Sequence, residues 1–512
     1  MSSWADTVDE ELNSESTTTT EAKSTAAASQ DNGSRSRSPT DGPPPGFEEV
    51  ASKLAESTVK DDEEGTVDAP ETALKSDTLL EIDAAEEAKI EVKVSQDSIY
   101  SAAATFEELG LSKELLEGLY TEMKFEKPSK IQAKTLPMIL SPPYRSLIAQ
   151  AHNGSGKTTC FVLGMLSRCN PSLRAPQALC VCPTRELVMQ NLRVLTKMGK
   201  FTGLTCATTA DHIELGAQVT AHIVIGTPGK LKSWMKRGRY QMMNPKDLQI
   251  LVFDEADQMM ATDGFRDDSV RMINDINQAL KREHRELQIL LFSATFNDRV
   301  TSFCRRVITN PNEVIVPKEE LSLDKLKQYL VVCPTKQEKT TVLKQRILPQ
   351  CDKLGQAIIF VRTRENARQL HNDLQDVGHK VTSIEGGMDH EARDRVIDEF
   401  RCGTTKILIA TDVLARGFDQ RQVTLVVNYD PPTERDFRRP AFETYLHRIG
   451  RSGRFGQAGA AFNLVCGEQE MDIITQISNY FQKPIQPVQY NDEDAFETVL
   501  VEAGLLSPEE DD

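Results

Sequence analysis

The sequence predicts an α/β protein: two tandem domains, each built on a parallel sheet, behind a disordered acidic N-terminal extension. Three observations carry that expectation. Short apolar runs bounded by polar turns recur from residue 146 onward, with helix-period segments between them. The series stops near 310 and begins again after 327. Charge is partitioned between segments of the chain. Strands apolar on both faces that alternate with helices belong to parallel sheets covered on both sides.

Residues 1–100 hold 24 acidic and 8 basic side chains. They are rich in Ser, Thr, Ala and Glu, with SRSRSPT at 34–40 and GPPPG at 42–46. Too few aliphatic side chains occur there to offset the entropy of ordering, so disorder is expected. The Arg-Ser cluster at 35–39 reads as a phosphorylation segment or as plain solvated tail. Apolar residues return at 74–94, and 76–94 is the place for one short, regulatory helix. The first domain, 101–310, has SLIAQ (146–150), QALCVC (177–182), HIVIGT (222–227), QILVF (249–253) and QILLF (288–292) as strands. Helices are expected over 185–198 and 266–281. A stretch with two prolines and a charge cluster, 311–327, reads as the linker. The second domain, 328–490, repeats the scheme with QAIIFV (356–361), KVTSI (380–384), KILIAT (406–411), TLVVNY (424–429) and AAFNLV (460–465). An acidic tail, 491–512, closes the chain with nine acidic residues and no basic one.

The net charge of −17 over 512 residues argues at first against a polyanionic partner. The acidity lies in the ends, however. Residues 101–490 carry 44 acidic and 52 basic side chains, a balance of +8, so a nucleic-acid partner is not excluded. That middle is too long for one ordinary core, which again favours two domains. No apolar run is long enough for a membrane span. The first thirty residues show neither the basic nor the apolar region of a signal peptide. The ten cysteines are scattered without CxxC pairs, as expected of free thiols in a reducing compartment.

Two strings carry chemistry. SLIAQ runs into Ala151-His152-Asn153-Gly154-Ser155-Gly156-Lys157-Thr158, a glycine-containing loop between strand and helix. Such a loop turns backbone N–H groups toward phosphate oxygens; Lys157 would reach the β- and γ-phosphates and the Thr158 hydroxyl would ligate Mg²⁺. The strict pattern has Gly where Ala151 stands. QILVF is followed by Asp254-Glu255-Ala256-Asp257, at the carboxyl end of a buried strand, where ligands of parallel sheets bind. Asp254 is placed to hold Mg²⁺ and Glu255 to orient an attacking water. An isolated string of this kind would be a solvated acidic turn.

Together these strings and those that follow resemble the DEAD-box family of ATP-dependent RNA helicases, over roughly 105–485. The resemblance implies two RecA-like domains, ATP and Mg²⁺ as cofactors, and RNA as partner. Phe125, Pro128, Ser129, Ile131 and Gln132 are similar to the family's Q motif, in which Gln132 would read the adenine edge and Phe125 would stack on the base. Pro183-Thr184-Arg185-Glu186-Leu187 and Thr227-Pro228-Gly229-Lys230 resemble the elements that grip RNA phosphates, which points to Arg185, Thr227 and Gly229. Ser293-Ala294-Thr295 resembles the element that couples nucleotide state to strand separation, together with Asp257 and His447. In the second half, Thr411 would contact RNA and Asp419 the ribose of ATP. Arg451 and Arg454, in HRIGRSGR, would act as arginine fingers. The chain departs from the family at Lys230, commonly Arg, at His390, commonly Gln, and in TTADH (208–212), which replaces a double-Gly element.

This division of parts implies a mechanism. The phosphate loop and DEAD lie on one domain and the arginine fingers on the other, so hydrolysis requires closure. RNA held by both domains favours that closure, and by reciprocity ATP favours RNA. Contacts to the backbone alone imply sequence-nonspecific binding, with local unwinding of short duplexes.

TFEELGLSKELLEGLY (105–120), LDKLKQYLV (323–331) and PPTERDFRRPAFETYLHRIGR (431–451) are similar to the mRNA-export branch of the family. That similarity implies a monomer found in cytoplasm and nucleus and at the nuclear pore. Its implied partners are a nucleoporin and an inositol-hexakisphosphate-dependent export factor, with 76–94 restraining the ATPase or serving as an ordinary acidic linker. The rival readings are a general RNA chaperone in translation or ribosome assembly and a non-catalytic ATP-dependent RNA clamp. The complete set of Lys157, Glu255, Arg451 and Arg454 favours an active enzyme.

Overall fold

The computed structural model describes residues 91–93 and 100–506, apart from 152–153, 212, 215, 263, 316–325, 350–354, 413–421, 435 and 454–457. In the first domain the strands are β1 (Glu91–Lys93), β2 (Leu147–Gln150), β3 (Ala178–Val181), β4 (Cys206–Thr208), β5 (Ile223–Gly226), β6 (Ile250–Phe253), β7 (Gln288–Ser293) and β8 (Asn312–Ile315). They form one sheet in the order β1-β8-β2-β7-β6-β3-β5-β4. All pairings are parallel except β1 on β8. In β2, β3, β5, β6 and β7 every residue is buried, as an apolar run with helices on both faces demands.

The second domain adds β9 (Leu326–Val332), β10 (Gln356–Phe360), β11 (Val381–Ile384), β12 (Ile407–Ala410), β13 (Val423–Asn428), β14 (Gly459–Val465) and β15 (Gln486–Val488). Their order is β11-β12-β10-β13-β14-β9-β15, parallel throughout. Each sheet has an apolar cluster on either face; Phe161, Phe292 and Leu163 anchor one side of the first, and Phe253, Met272 and Phe303 the other.

Helix starts follow from capping. Thr184 accepts from Leu187 N at 3.2 Å and begins helix Arg185–Met198, whose buried stripe is Leu187, Val188, Asn191, Leu195 and Met198. Helix Phe265–Arg282 matches the second expected helix. No described helix is long and apolar enough to cross a membrane. The described cysteines are free thiols, most of them buried.

Three expectations need correction. Within the expected 76–94 helix, Glu91–Lys93 form strand β1 instead, with Val92 opposite Val314; the β-branched centre of Glu-Val-Lys suits a strand. Residues 76–90 and 94 of that segment lie outside the described residues. The expected linker is shorter than 311–327, because β8 and β9 take both ends; Asn312 and Val314 are buried in alternation. The acidic tail is a packed helix over Glu493–Glu502. Its acids line the outer face while Phe496, Val499 and Leu500 turn inward, Phe496 stacking 5.8 Å from Phe462. Tyr329 donates to the Val499 carbonyl at 2.6 Å, so the helix belongs to the second domain.

Candidate active site

Three loops converge at the carboxyl edge of the first sheet, because β7 lies between β2 and β6. β2 ends at Gln150, and the N–H of the next residue, Ala151, donates to the Ser293 carbonyl at 3.2 Å. Past residues 152–153, Gly154 and Gly156 take φ of 84° and 97°, and Gly156 caps helix Lys157–Arg168. A side chain at 156 would be strained by that backbone and would meet Gln132 Nε2 at 2.3 Å. Lys157 is buried and its Nζ donates to the Ala151 carbonyl at 2.6 Å, so the loop closes on itself. Ser155 Oγ is buried without a hydrogen-bond partner among the described residues.

The Gln132 element is wired into this loop. Ser129 N–H donates to Gln132 Oε1 at 2.9 Å in a capping box, and Gln132 Nε2 donates to the Gly156 carbonyl at 3.2 Å. Ser129 Oγ donates to the Ser155 carbonyl at 2.8 Å. Phe125 is half-buried and stacks on Phe106, centroids 6.4 Å apart, making a two-ring platform.

At the end of β6, Asp254 Oδ1 accepts from Glu255 N–H at 3.0 Å and Oδ2 from Asn191 Nδ2 at 2.9 Å. Burial, and then the charge of Glu255, push the Asp254 carboxyl up to about 6. Glu255 sits at φ 50°, a left-handed conformation costly for a residue with a side chain. Its Oε2 is buried with no hydrogen-bond partner among the described residues. Hard carboxylate oxygens with unmet bonding capacity beside a glycine cradle fit a nucleotide phosphate with its divalent cation.

Asp257 links this edge to the second domain. Its N–H donates to Ser293 Oγ at 3.2 Å, Thr295 Oγ1 donates to its Oδ2 at 2.9 Å, and His447 Nε2 lies 3.1 Å from the same oxygen. Asp257 and His447 are fully buried. Ala294 packs into an apolar cluster of the second domain. His447 sits on helix Phe442–Ile449, and its carbonyl accepts from Arg451 Nε at 2.9 Å. Arg448, unremarked in the sequence, is buried against Asp412, Asn428 and the Asp430 carbonyl.

The residues assigned to RNA lie apart from this cluster. Arg185 NH1 is 2.7 Å from both oxygens of Asp394, and Glu186 accepts from Arg393 at 2.8 Å, so both cross the interdomain cleft. Thr227 N–H donates to Thr209 Oγ1, which occupies part of the place of the missing double-Gly element. Gly229 is the second residue of helix Pro228–Met235, beside Asp268. Thr411 is buried and its Oγ1 has no hydrogen-bond partner among the described residues. His152, Asn153, Asp419 and Arg454 lie outside the described residues.

A phosphate loop on one sheet and an arginine-bearing helix on the other, joined through a shared buried carboxylate, define a two-domain nucleotide-driven ATPase. Residues 129–303 match the DEAD/DEAH box helicase family and 338–456 the helicase conserved C-terminal domain. The chain is 51% identical over 441 residues to "DEAD-box ATP-dependent RNA helicase 38" of Arabidopsis thaliana, covering 84% of this chain and 87% of that one. It is similar to S. cerevisiae Dbp5 bound to RNA and ADP BeF3, at 39% identity and a TM-score of 0.72. That match covers 78% of this chain and all of the other. A Dbp5 variant from S. cerevisiae bound to Nup159, a Gle1 variant, IP6 and ADP matches at 37% identity and a TM-score of 0.56, over 77% and 99% of the two chains. The chain belongs to the DEAD-box family of ATP-dependent RNA helicases: it is an ATP-binding, RNA-dependent ATPase.

Proposed function

We propose that the chain remodels messenger ribonucleoprotein during mRNA export, by RNA-stimulated ATP hydrolysis coupled to local duplex unwinding. It acts as a monomer moving between nucleus and cytoplasm, at the pore complex. The named complexes of Dbp5 with Nup159, Gle1 and IP6 support a nucleoporin and an inositol-hexakisphosphate-dependent factor as partners. The observation that carries the catalytic reading is the buried Asp257–His447 contact at 3.1 Å, which brings the DEAD edge and Arg451 into one assembly.

In this reading Gln132 and Phe125 hold the adenine, and Lys157 exchanges its bond to Ala151 for a phosphate oxygen. Thr158 and Asp254 would hold Mg²⁺, which supplies charge neutralisation at the β- and γ-phosphates when bound. Glu255 orients the attacking water through its unsatisfied Oε2. Arg451, with Arg454, neutralises charge on the transferring phosphoryl group after closure. Arg185 leaves Asp394 for an RNA phosphate, joined by Thr227, Gly229 and Thr411, and Ser293, Thr295, Asp257 and His447 transmit the change. Glu255→Gln keeps the shape of the side chain but not its charge. RNA-stimulated turnover should fall by about 10³-fold, the scale of one lost preorganised electrostatic group, while ATP-dependent RNA binding persists. Turnover within tenfold of the parent would reject the role given to Glu255.

A further inference from the structure

The buried stripe of helix Arg185–Met198 is apolar at Leu187, Val188, Leu195 and Met198, and amide at Asn191. Asn191 is fully buried. Its Nδ2 donates to Asp254 Oδ2 at 2.9 Å and lies 3.3 Å from Cys182 Sγ, with Cys180 Sγ farther off at 4.0 Å. Because the amide must turn its donor to the carboxylate, its carbonyl is aimed the other way. Asn191 Oδ1 is buried with no hydrogen-bond partner among the described residues. Leucine here would remove the unmet carbonyl but leave the buried Asp254 Oδ2 without its donor, so the asparagine is kept for the carboxylate it meets. The cost of the unmet carbonyl is borne at the one position of the stripe that reaches the DEAD carboxylate.

Asp254 has each oxygen held by one donor, Glu255 N–H on Oδ1 and Asn191 on Oδ2, which fixes the plane of the carboxylate. The same helix begins with Arg185 and Glu186, which bridge to the second domain. Residue 191 is about 9 Å further along the helix axis, at 1.5 Å per residue. A rigid helix thus joins the cleft-facing arginine to the carboxylate oxygen.

We propose that Asn191 is a positioning residue that aims the Asp254 carboxylate toward the nucleotide's divalent cation and ties that aim to the seating of the Arg185 helix. This rests on Asp254 as a metal-holding group, and on Arg185 as an RNA contact. Outer partners of metal-holding carboxylates typically change affinity by 10–100-fold when removed.

The test is Asn191→Leu in the full chain, with Asp254→Asn alongside. Mn²⁺ binding to the ADP complex is read by electron paramagnetic resonance, nucleotide affinity in chelator by fluorescence, and RNA-stimulated ATPase as kcat and KM. Asn191→Leu should weaken Mn²⁺ by about tenfold, leave metal-free nucleotide affinity unchanged, and lower kcat without raising the KM for RNA. Loss of a donor to a buried carboxylate lowers the melting temperature, so Mn²⁺ affinity and kcat are read well below it, where both variants are folded, which separates aim from folding. Parent-like Mn²⁺ affinity in Asn191→Leu, with Asp254→Asn impaired, overturns the proposal alone. Parent-like affinity in Asp254→Asn overturns the assignment of Asp254 beneath it.

Discussion

Two regions of the molecule bury polar groups in opposite ways. In the interior of the second domain, the largest are saturated. Lys339, 1% exposed, donates to Glu470 Oε2 at 2.5 Å and to the Tyr429 carbonyl at 3.0 Å, and Cys466 N–H completes the same carboxylate oxygen at 2.8 Å. Arg448 spends its guanidinium on Asp412, Asn428 and Asp430, with the Phe360 ring 5.1 Å away. Asn428 and Asn463 pair across β13 and β14 at 2.8 Å. In the first domain, Ser155 Oγ, Asn191 Oδ1 and Glu255 Oε2 are buried without hydrogen-bond partners among the described residues, all at the carboxyl edge of the sheet. The second domain also holds groups unmet among the described residues, including Thr411 Oγ1, Arg362 Nε, His371 Nδ1 and Glu385 Oε2, and of these Thr411 is a residue assigned to RNA. Beside the phosphate loop, unmet bonding capacity is what a ligand would complete; around Glu470 and Arg448 the structure is already complete.

That contrast breaks first at Lys339. Lys339→Met leaves the Glu470 carboxylate buried, and removal of one partner of a buried pair costs about 3–5 kcal/mol. Denaturant unfolding of the second domain should register that loss, and Lys339→Met with Glu470→Leu should recover most of it. If the single variant unfolds like the parent, the saturated network is not structural. The first-domain counterpart, Asn191→Leu, removes one neutral donor from the buried Asp254 carboxylate, worth about 1.5–3 kcal/mol and so less than the Lys339 loss.

The next effect belongs to the bond shared by both domains. His447→Ala removes a hydrogen bond to a buried carboxylate, worth about 1.5–3 kcal/mol, or about 10- to 150-fold. Thr295 still holds Asp257 Oδ2, so the first domain keeps its fold while RNA-stimulated ATPase falls by that factor. Unchanged stimulation would mean that the contact does not carry coupling.

Much of this was legible in the chain. Motif-bearing strands such as QILVF and KILIAT are wholly apolar, and burial on both faces is what such runs require. The missed strands lack that signature: β4 and β15 are three residues each, the latter containing Pro487, and β9 exposes Lys327 and Val332. The C-terminal helix was hidden by its charge, because nine acids outweigh the Phe496, Val499 and Leu500 stripe in a composition count. Gln132, Lys157 and Glu255 stand in recognisable motifs. Asn191 stands in none, although a polar residue at the Leu187, Val188, Leu195 spacing is itself a signal. Arg448 passed as one charge among several in HRIGR; its burial depends on Asp412, Asn428 and Asp430, which only the sheet order brings together.

The smallest expected effect lies on the surface, where saturation buys local order alone. The 433–440 loop closes with Glu434 N–H donating to the Arg439 carbonyl at 2.9 Å, and presents Phe437 at φ 55°, 52% exposed. Asp436 organises it, accepting from Arg438 N–H at 3.1 Å, Arg439 N–H at 3.2 Å and Arg439 Nε at 2.8 Å. The Arg438 N–H, then the Arg439 side chain and N–H, hold the Asp436 carboxyl down at about 2. A depressed carboxylate contributes order that is fully present above its unfolded value of 3.8 and is lost as pH falls through about 2. At neutral pH, Asp436→Asn should therefore speed amide exchange at Arg438 and Arg439 and leave the global melt unmoved. In the parent, the carboxyl carbon shift of Asp436 should titrate near 2. A midpoint near 3.8, or exchange unaltered by the substitution, would show that solvent screening already cancels these exposed bonds, and that saturation orders this domain in its interior alone.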